Sequence, residues 1–121
     1  MAGLERGAAA GAGVQVWEVA ALVHAVGDAL AARFGAVAVS GELAGFQRAA
    51  SGHCYFTLKD ADGSAALRCA MFRRAASLLD FAPADGALVE LRGRLAVYEP
   101  RGELQFVVEA MRRAGAGALY E

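Results

Sequence analysis

His53, Tyr55, Thr57 and Lys59 occupy alternate positions of one segment, and Arg68 and Phe72 occupy alternate positions of the next. Rings and cations interleaved in this way have one obvious use. An aromatic ring stacks on an unpaired base for ~1–3 kcal/mol, and Arg or Lys meets the phosphates between bases. Phe46 precedes the pair of segments, with Arg48 just after it, and Arg73 directly follows Phe72. Tyr98 and Arg101 flank the last turn of the chain. The candidate nucleic-acid contacts are therefore Phe46, Arg48, His53, Tyr55, Lys59, Arg68, Phe72, Arg73, Tyr98 and Arg101.

Other chemistries lack their residues. No H-E-x-x-H, G-x-S-x-G or phosphate-binding loop occurs. Asp60, Asp62, Asp80 and Asp85 lie in turn segments, where Asp bonds to nearby backbone. His53 and Cys54 are adjacent in an alternating segment and so point to opposite faces, which argues against a shared zinc site. Cys54 and Cys69 read as small core residues, with no C-x-x-C pair. The expectation is a chain with no catalytic residues, no metal and no cofactor.

The elements that must position these side chains follow from the hydrophobic period. Val16, Val19, Ala20, Val23, Gly27 and Leu30 recur at helical spacing, predicting a helix from about Val16 to Arg33 that Gly35 closes. The period then drops to 2. Val37, Val39, Gly41 and Leu43 mark a first strand, followed by a loop over Gln47–Ser51. Cys54, Phe56 and Leu58 are the inward positions of a second strand, and Leu67, Cys69 and Met71 those of a third. The turn between them carries Asp62-Gly63, a strong hairpin signal. Even must face odd across this hairpin, which leaves two registers, one opposing Cys54 to Cys69 and one shifted by two residues. A short helix is predicted over Arg73–Phe81. The fourth strand turns Val89, Leu91, Gly93, Leu95 and Val97 inward, with Gly93 marking a bend. Pro100 and Gly102 give a type I turn signature in the loop Glu99–Gly102. The fifth strand turns Leu104, Phe106, Val108 and Ala110 inward.

Helix, three strands, short helix, two strands is the order of a five-stranded OB-fold barrel, a mainly β architecture. Such barrels bind oligonucleotides on the face of strands 2 and 3, between the first and last hairpin loops. The expected organisation is a flexible leader over residues 1–13, a barrel domain over 14–112 and a linker over 113–121.

The 121 residues carry a formal net charge of −1, with 57% hydrophobic and 21% charged residues. That excludes a disordered chain and a polybasic binder. The sum hides the distribution. Phe46 to Arg73 holds Arg48, Lys59, Arg68 and Arg73 against Asp60 and Asp62 only. No apolar run is long enough to span a membrane, and Met1–Gly13 lacks the apolar core of a signal peptide, so the expected location is cytoplasmic.

Several motifs together carry a family resemblance. Gly41-Glu42-Leu43-Ala44-Gly45-Phe46, Ser51-Gly52-His53-Cys54-Tyr55-Phe56-Thr57-Leu58-Lys59-Asp60 and Arg68-Cys69-Ala70-Met71-Phe72-Arg73 come first. Arg92-Gly93-Arg94-Leu95, Tyr98-Glu99-Pro100-Arg101-Gly102 and Gly115-Ala116-Gly117-Ala118-Leu119 follow in order. The chain resembles the amino-terminal domain of the exodeoxyribonuclease VII large subunit from about Val14 to Glu121. It departs from that pattern at Ala44-Gly45, where the family usually has Ser-Asn, and at Cys54, where it has an aromatic. The resemblance implies an OB-fold that binds single-stranded DNA and belongs to a larger exonuclease. It implies that the hydrolytic residues lie beyond this chain, and that the rest of the large subunit and a small subunit are its partners. The alternative is a protein-interaction barrel that positions the large subunit, with DNA contact secondary.

Overall fold

The computed structural model describes residues 13–114, so the expected leader (apart from Gly13) and most of the expected linker lie outside the described residues. Helix α1 spans Val19–Phe34. Five strands follow: β1 (Ala36–Arg48), β2 (Cys54–Lys59), β3 (Ala66–Met71), β4 (Leu88–Tyr98) and β5 (Glu103–Arg113). A four-residue helix α2 (Arg73–Ala76) lies between β3 and β4. The strands close into a barrel in the order β1-β2-β3-β5-β4. Every neighbouring pair is antiparallel except β3 and β5. Closure removes the exposed sheet edges that would otherwise recruit another chain.

The inward face of each strand fills the barrel. Leu43, Phe56, Met71, Leu91 and Phe106 are fully or almost fully buried, with Cys54, Cys69, Val89 and Val108 between them. The two cysteines are free thiols. Burial pushes the Cys69 thiol up to about 12, so it is held protonated and inert. The β2–β3 hairpin takes the register that sets Cys54 against Met71 and Phe56 against Cys69. Its loop supports that choice through local bonds. The Gly63 amide donates to the Asp60 carbonyl (2.9 Å), the Ser64 amide to Asp62 Oδ1 (2.9 Å) and the Ser64 hydroxyl to Asp60 Oδ2 (3.0 Å). The Ser64 hydrogen bonds hold the Asp62 carboxyl below its usual range.

Two bulges change side-chain faces relative to strict alternation. On β1, Ala44 pairs with Thr57 but Gln47 pairs with Tyr55, so one extra residue is inserted. Gly45 (φ +64°) takes the left-handed conformation at this point. Phe46 is thereby turned inward, where it stacks on Phe56 with centroids 5.6 Å apart. Its amide donates to Asp85 Oδ1 instead (2.9 Å). The second bulge is on β5. Arg92 pairs with Ala110 and Gly93 with Val108, leaving Glu109 as the extra residue. Beyond it the parity flips, so Ala110, expected inward, is exposed and Met111 is buried. Leu104, also expected inward, is 47% exposed.

The helices are shorter than the sequence pattern suggests. α1 starts at Val19 rather than Val16, and Glu18 at its N-cap makes no side-chain capping bond. α2 ends at Ala76 rather than Phe81. Leu79 and Phe81 both pack on the core. Residues two apart point about 200° apart on a helix, so an irregular chain is what brings both inward.

Candidate nucleic-acid interface

Tyr55 on β2 and Arg68 on β3 come from the same hairpin, one row apart on its outer face. Arg68 is held in place by its guanidinium, whose Nη1 donates to Thr57 Oγ1 at 2.7 Å. The β4–β5 hairpin brings Tyr98 and Arg101 to the same place. Its turn is fixed by the Arg101 amide donating to the Tyr98 carbonyl (3.2 Å) and the Gly102 amide to the Glu99 carbonyl (3.1 Å). Pro100 and the positive φ of Gly102 suit that geometry. Tyr55, Arg68, Tyr98 and Arg101 line one open groove of about 370 Å³ with Glu103, Leu104 and Gln105. What joins the two hairpins is the parallel pairing of β3 with β5, Cys69 opposite Phe106.

A second group continues along the outer face of β2. His53 and Phe72 meet edge to face, centroids 5.4 Å apart. His53 Nδ1 accepts the Arg73 amide at 2.8 Å, satisfying a donor at the start of α2 that the helix itself leaves free. That nitrogen is thus an acceptor, and the ring is committed to holding the Phe72-Arg73 corner. Phe72 stays 44% exposed. The stem of Arg73 lies over Gly52, where an added Cβ would come within 2.9 Å of Arg73 Cγ.

Three expected contacts are placed elsewhere. Phe46 is turned toward the core by the Gly45 bulge and is not on the outer face. Arg48 is the last residue of β1, opposite the inward-facing Cys54, so it leaves from the face opposite to Tyr55. Lys59 ends β2 in register with Glu42 and lines a separate hollow with Val39, Leu58 and Leu67. The sequence reading missed Gln105 and Glu103 as groove residues. Gln105 was legible only as an outward strand position; its place beside Arg68 needs the parallel β3–β5 contact.

The remaining cations of the barrel wall are largely committed. Arg94 Nε meets Glu109 at 3.2 Å, and Arg112 Nε meets Glu90 at 3.0 Å. Within the groove, Arg101 pairs with Glu103 at 4.0 Å. Long, exposed pairs of this kind are weak, so Arg101 can exchange Glu103 for a phosphate at little cost. Among the described residues no three His, Cys, Asp or Glu side chains converge as metal ligands. No helix of the described residues is long and apolar enough to cross a membrane.

A closed five-stranded barrel carrying rings and cations in one groove defines an OB-type nucleic-acid-binding module. A family model described as an OB-fold nucleic acid binding domain matches residues 17–112, and the chain belongs to that family. The chain is 71% identical over 106 residues to the exodeoxyribonuclease 7 large subunit of Delftia acidovorans, covering 88% of this chain and 23% of that protein. It is 50% identical over 106 residues to the protein of the same description from Bordetella avium, again covering 88% and 23%. The chain thus spans about a quarter of the length of these curated relatives. Among solved structures it resembles a replication protein A heterotrimer bound to ssDNA (TM-score 0.54, 13% identity, 72% of this chain and 65% of that one). It also resembles the OBody NL8 bound to hen egg-white lysozyme (TM-score 0.52, 13% identity, 67% and 96%). These two likenesses concern the fold alone, which hosts more than one kind of ligand.

Proposed function

We propose that this domain binds single-stranded DNA and serves as the binding module of a longer exodeoxyribonuclease large subunit. The observation that carries the reading is the convergence of Tyr55, Arg68, Tyr98 and Arg101 on one open groove. Tyr55 and Tyr98 offer faces for two bases. Arg68 and Arg101 take the phosphates, with Arg73 and Phe72 extending the track past His53. Thr57 and Gln105 add hydrogen-bond donors and acceptors. Stacking and phosphate contacts do not depend on base identity, so binding is sequence-tolerant.

Hydrolysis belongs to other parts of the longer protein, together with a small partner subunit, in the cytoplasm. The chain spans only 23% of the length of each of these two relatives, so the hydrolytic part is assigned to the remainder. The protein-docking alternative draws on the apolar residues that α1 leaves open, Val19, Leu22 and Val26. The groove itself is lined mainly by polar and charged groups, which suits nucleic acid better than an apolar partner.

Titrating a labelled oligothymidylate tests the reading. Three phosphate contacts (Arg68, Arg73, Arg101) give a log-log salt slope of about −2, from about −0.7 per contact on a single strand. Affinity is expected to fall roughly tenfold to twentyfold between 50 and 200 mM salt. No binding at the lower salt, or affinity independent of salt, would overturn it.

A further inference from the structure

Helix α1 does not enter the barrel core. None of its residues is buried, and it packs along β4, where an added Cβ on Gly27 would touch Val97 at 4.0 Å. Its second contact is with the β4–β5 hairpin. The Val23 side chain lies 3.9 Å from where a Cβ on Gly102 would stand. On the next residue of the helix, His24 Nδ1 meets Glu99 Oε2 at 3.0 Å, and its Nε2 meets Asp28 Oδ2 at 3.5 Å. Glu99 is the residue between Tyr98 and the Pro100-Arg101 turn. A helix outside the barrel therefore grips the hairpin that carries half of the groove.

We infer that His24 is a positioning residue for the DNA groove: by holding Glu99 it fixes the β4–β5 turn so that Tyr98 and Arg101 face Tyr55 and Arg68. The inference rests on the proposed binding of single-stranded DNA. Preorganising a loop in its bound shape lowers the ordering cost of binding without adding a contact. A charged His24 also neutralises Glu99 beside a surface that must accept phosphates. The charged groups that face His24 are Asp28 on its own helix and Glu99 on the hairpin, with Arg101 and Glu103 paired to each other further along the turn.

The pH dependence has a definite sign. The Glu99 hydrogen bond, and then Asp28, raise the His24 pKa above its ordinary 6.5. The tie is fully present below that ordinary value and is lost as pH rises through the raised one. The pair is exposed, so the effect is modest, about twofold to fivefold in affinity.

The experiment uses the wild-type domain, His24→Ala and His24→Lys. Hydrogen-exchange protection of the Arg101 and Gly102 amides is read without DNA, and oligothymidylate affinity is read from pH 5.5 to 8.5. In the wild type, both quantities are expected to fall as pH rises. In His24→Ala both are low throughout. In His24→Lys both are restored and the pH step disappears, because Lys stays charged across the range. Unchanged amide protection in His24→Ala overturns the inference, and so does an affinity change without a protection change, which would mean simple charge attraction. If the wild type binds no oligonucleotide, the proposed function falls, while the protection arm still decides whether His24 orders the turn.

Discussion

Replacing Tyr55 and Arg68 together with alanine is expected to weaken oligothymidylate binding about a hundredfold. The ring contributes ~1–3 kcal/mol by stacking, and a charge-assisted phosphate bond contributes about 1.5–3 kcal/mol. The two act on neighbouring nucleotides, so the sum falls short of strict additivity. Neither side chain belongs to the buried core, and the Arg68 guanidinium donates to the outward Thr57 hydroxyl. The thermal midpoint should therefore move little. Arg68→Lys should fall between, because Lys keeps the charge but loses the planar fork that reaches Thr57 and a phosphate together. Arg94→Ala is the control, since Arg94 is already paired with Glu109 away from the groove. Fluorescence anisotropy reads all four proteins. A double variant that binds like wild type would remove the groove from the account.

Gly93→Ala is expected to be the most damaging single methyl in the barrel, costing about 3 kcal/mol or more. A Cβ on Gly93 would be driven into the carbonyl oxygen of Val107, with the Val107 carbonyl carbon and Val108 Cα also closer than van der Waals contact allows. All three are backbone atoms of the paired strand and cannot swing aside. The same spot is the β5 bulge, which sets Met111 into the core, so a shift there propagates along β5. Gly63→Ala provides the contrast. Its φ is +77° but nothing lies within 4 Å of the added methyl, so only the backbone preference is lost, about 1–2 kcal/mol. Urea unfolding followed by circular dichroism separates the two. A Gly93→Ala protein within 1 kcal/mol of wild type would show that the barrel corner yields more easily than its geometry indicates.

Alternation alone made β2, β3 and most of β4 legible, because Cys54, Phe56, Leu58, Cys69, Met71, Val89 and Leu91 keep strict parity inside the barrel. Parity failed where a strand gains a residue. Nothing in Val108-Glu109-Ala110 announces an insertion; the glycine that makes room for it sits on the partner strand, at Gly93. Gly45 was visible in the sequence, but its φ of +64° and the inward turn of Phe46 were not. The hairpin register had two even solutions, and the choice came from a four-residue loop closed by Asp60, Asp62 and Ser64. The site divides along the same line. Tyr55 and Arg68 could be joined because a single hairpin carries both. Their meeting with Tyr98 and Arg101 depends on the β3–β5 contact, which closes a long loop and leaves no local signal. The bond from the Arg73 amide to His53 spans twenty residues and was equally hidden.

Single-stranded DNA is expected to lie in the groove between the two hairpins. Backbone amide chemical-shift mapping of the isotope-labelled domain during titration with a short oligothymidylate tests it most directly. The expected result is a contiguous set of shifts at Tyr55, Arg68, Tyr98, Arg101 and Gln105, extending to Phe72 and Arg73. Shifts centred instead on the open face of α1, at Leu22 and Val26, or on the hollow lined by Ser40, Leu88 and Ala114, would contradict it.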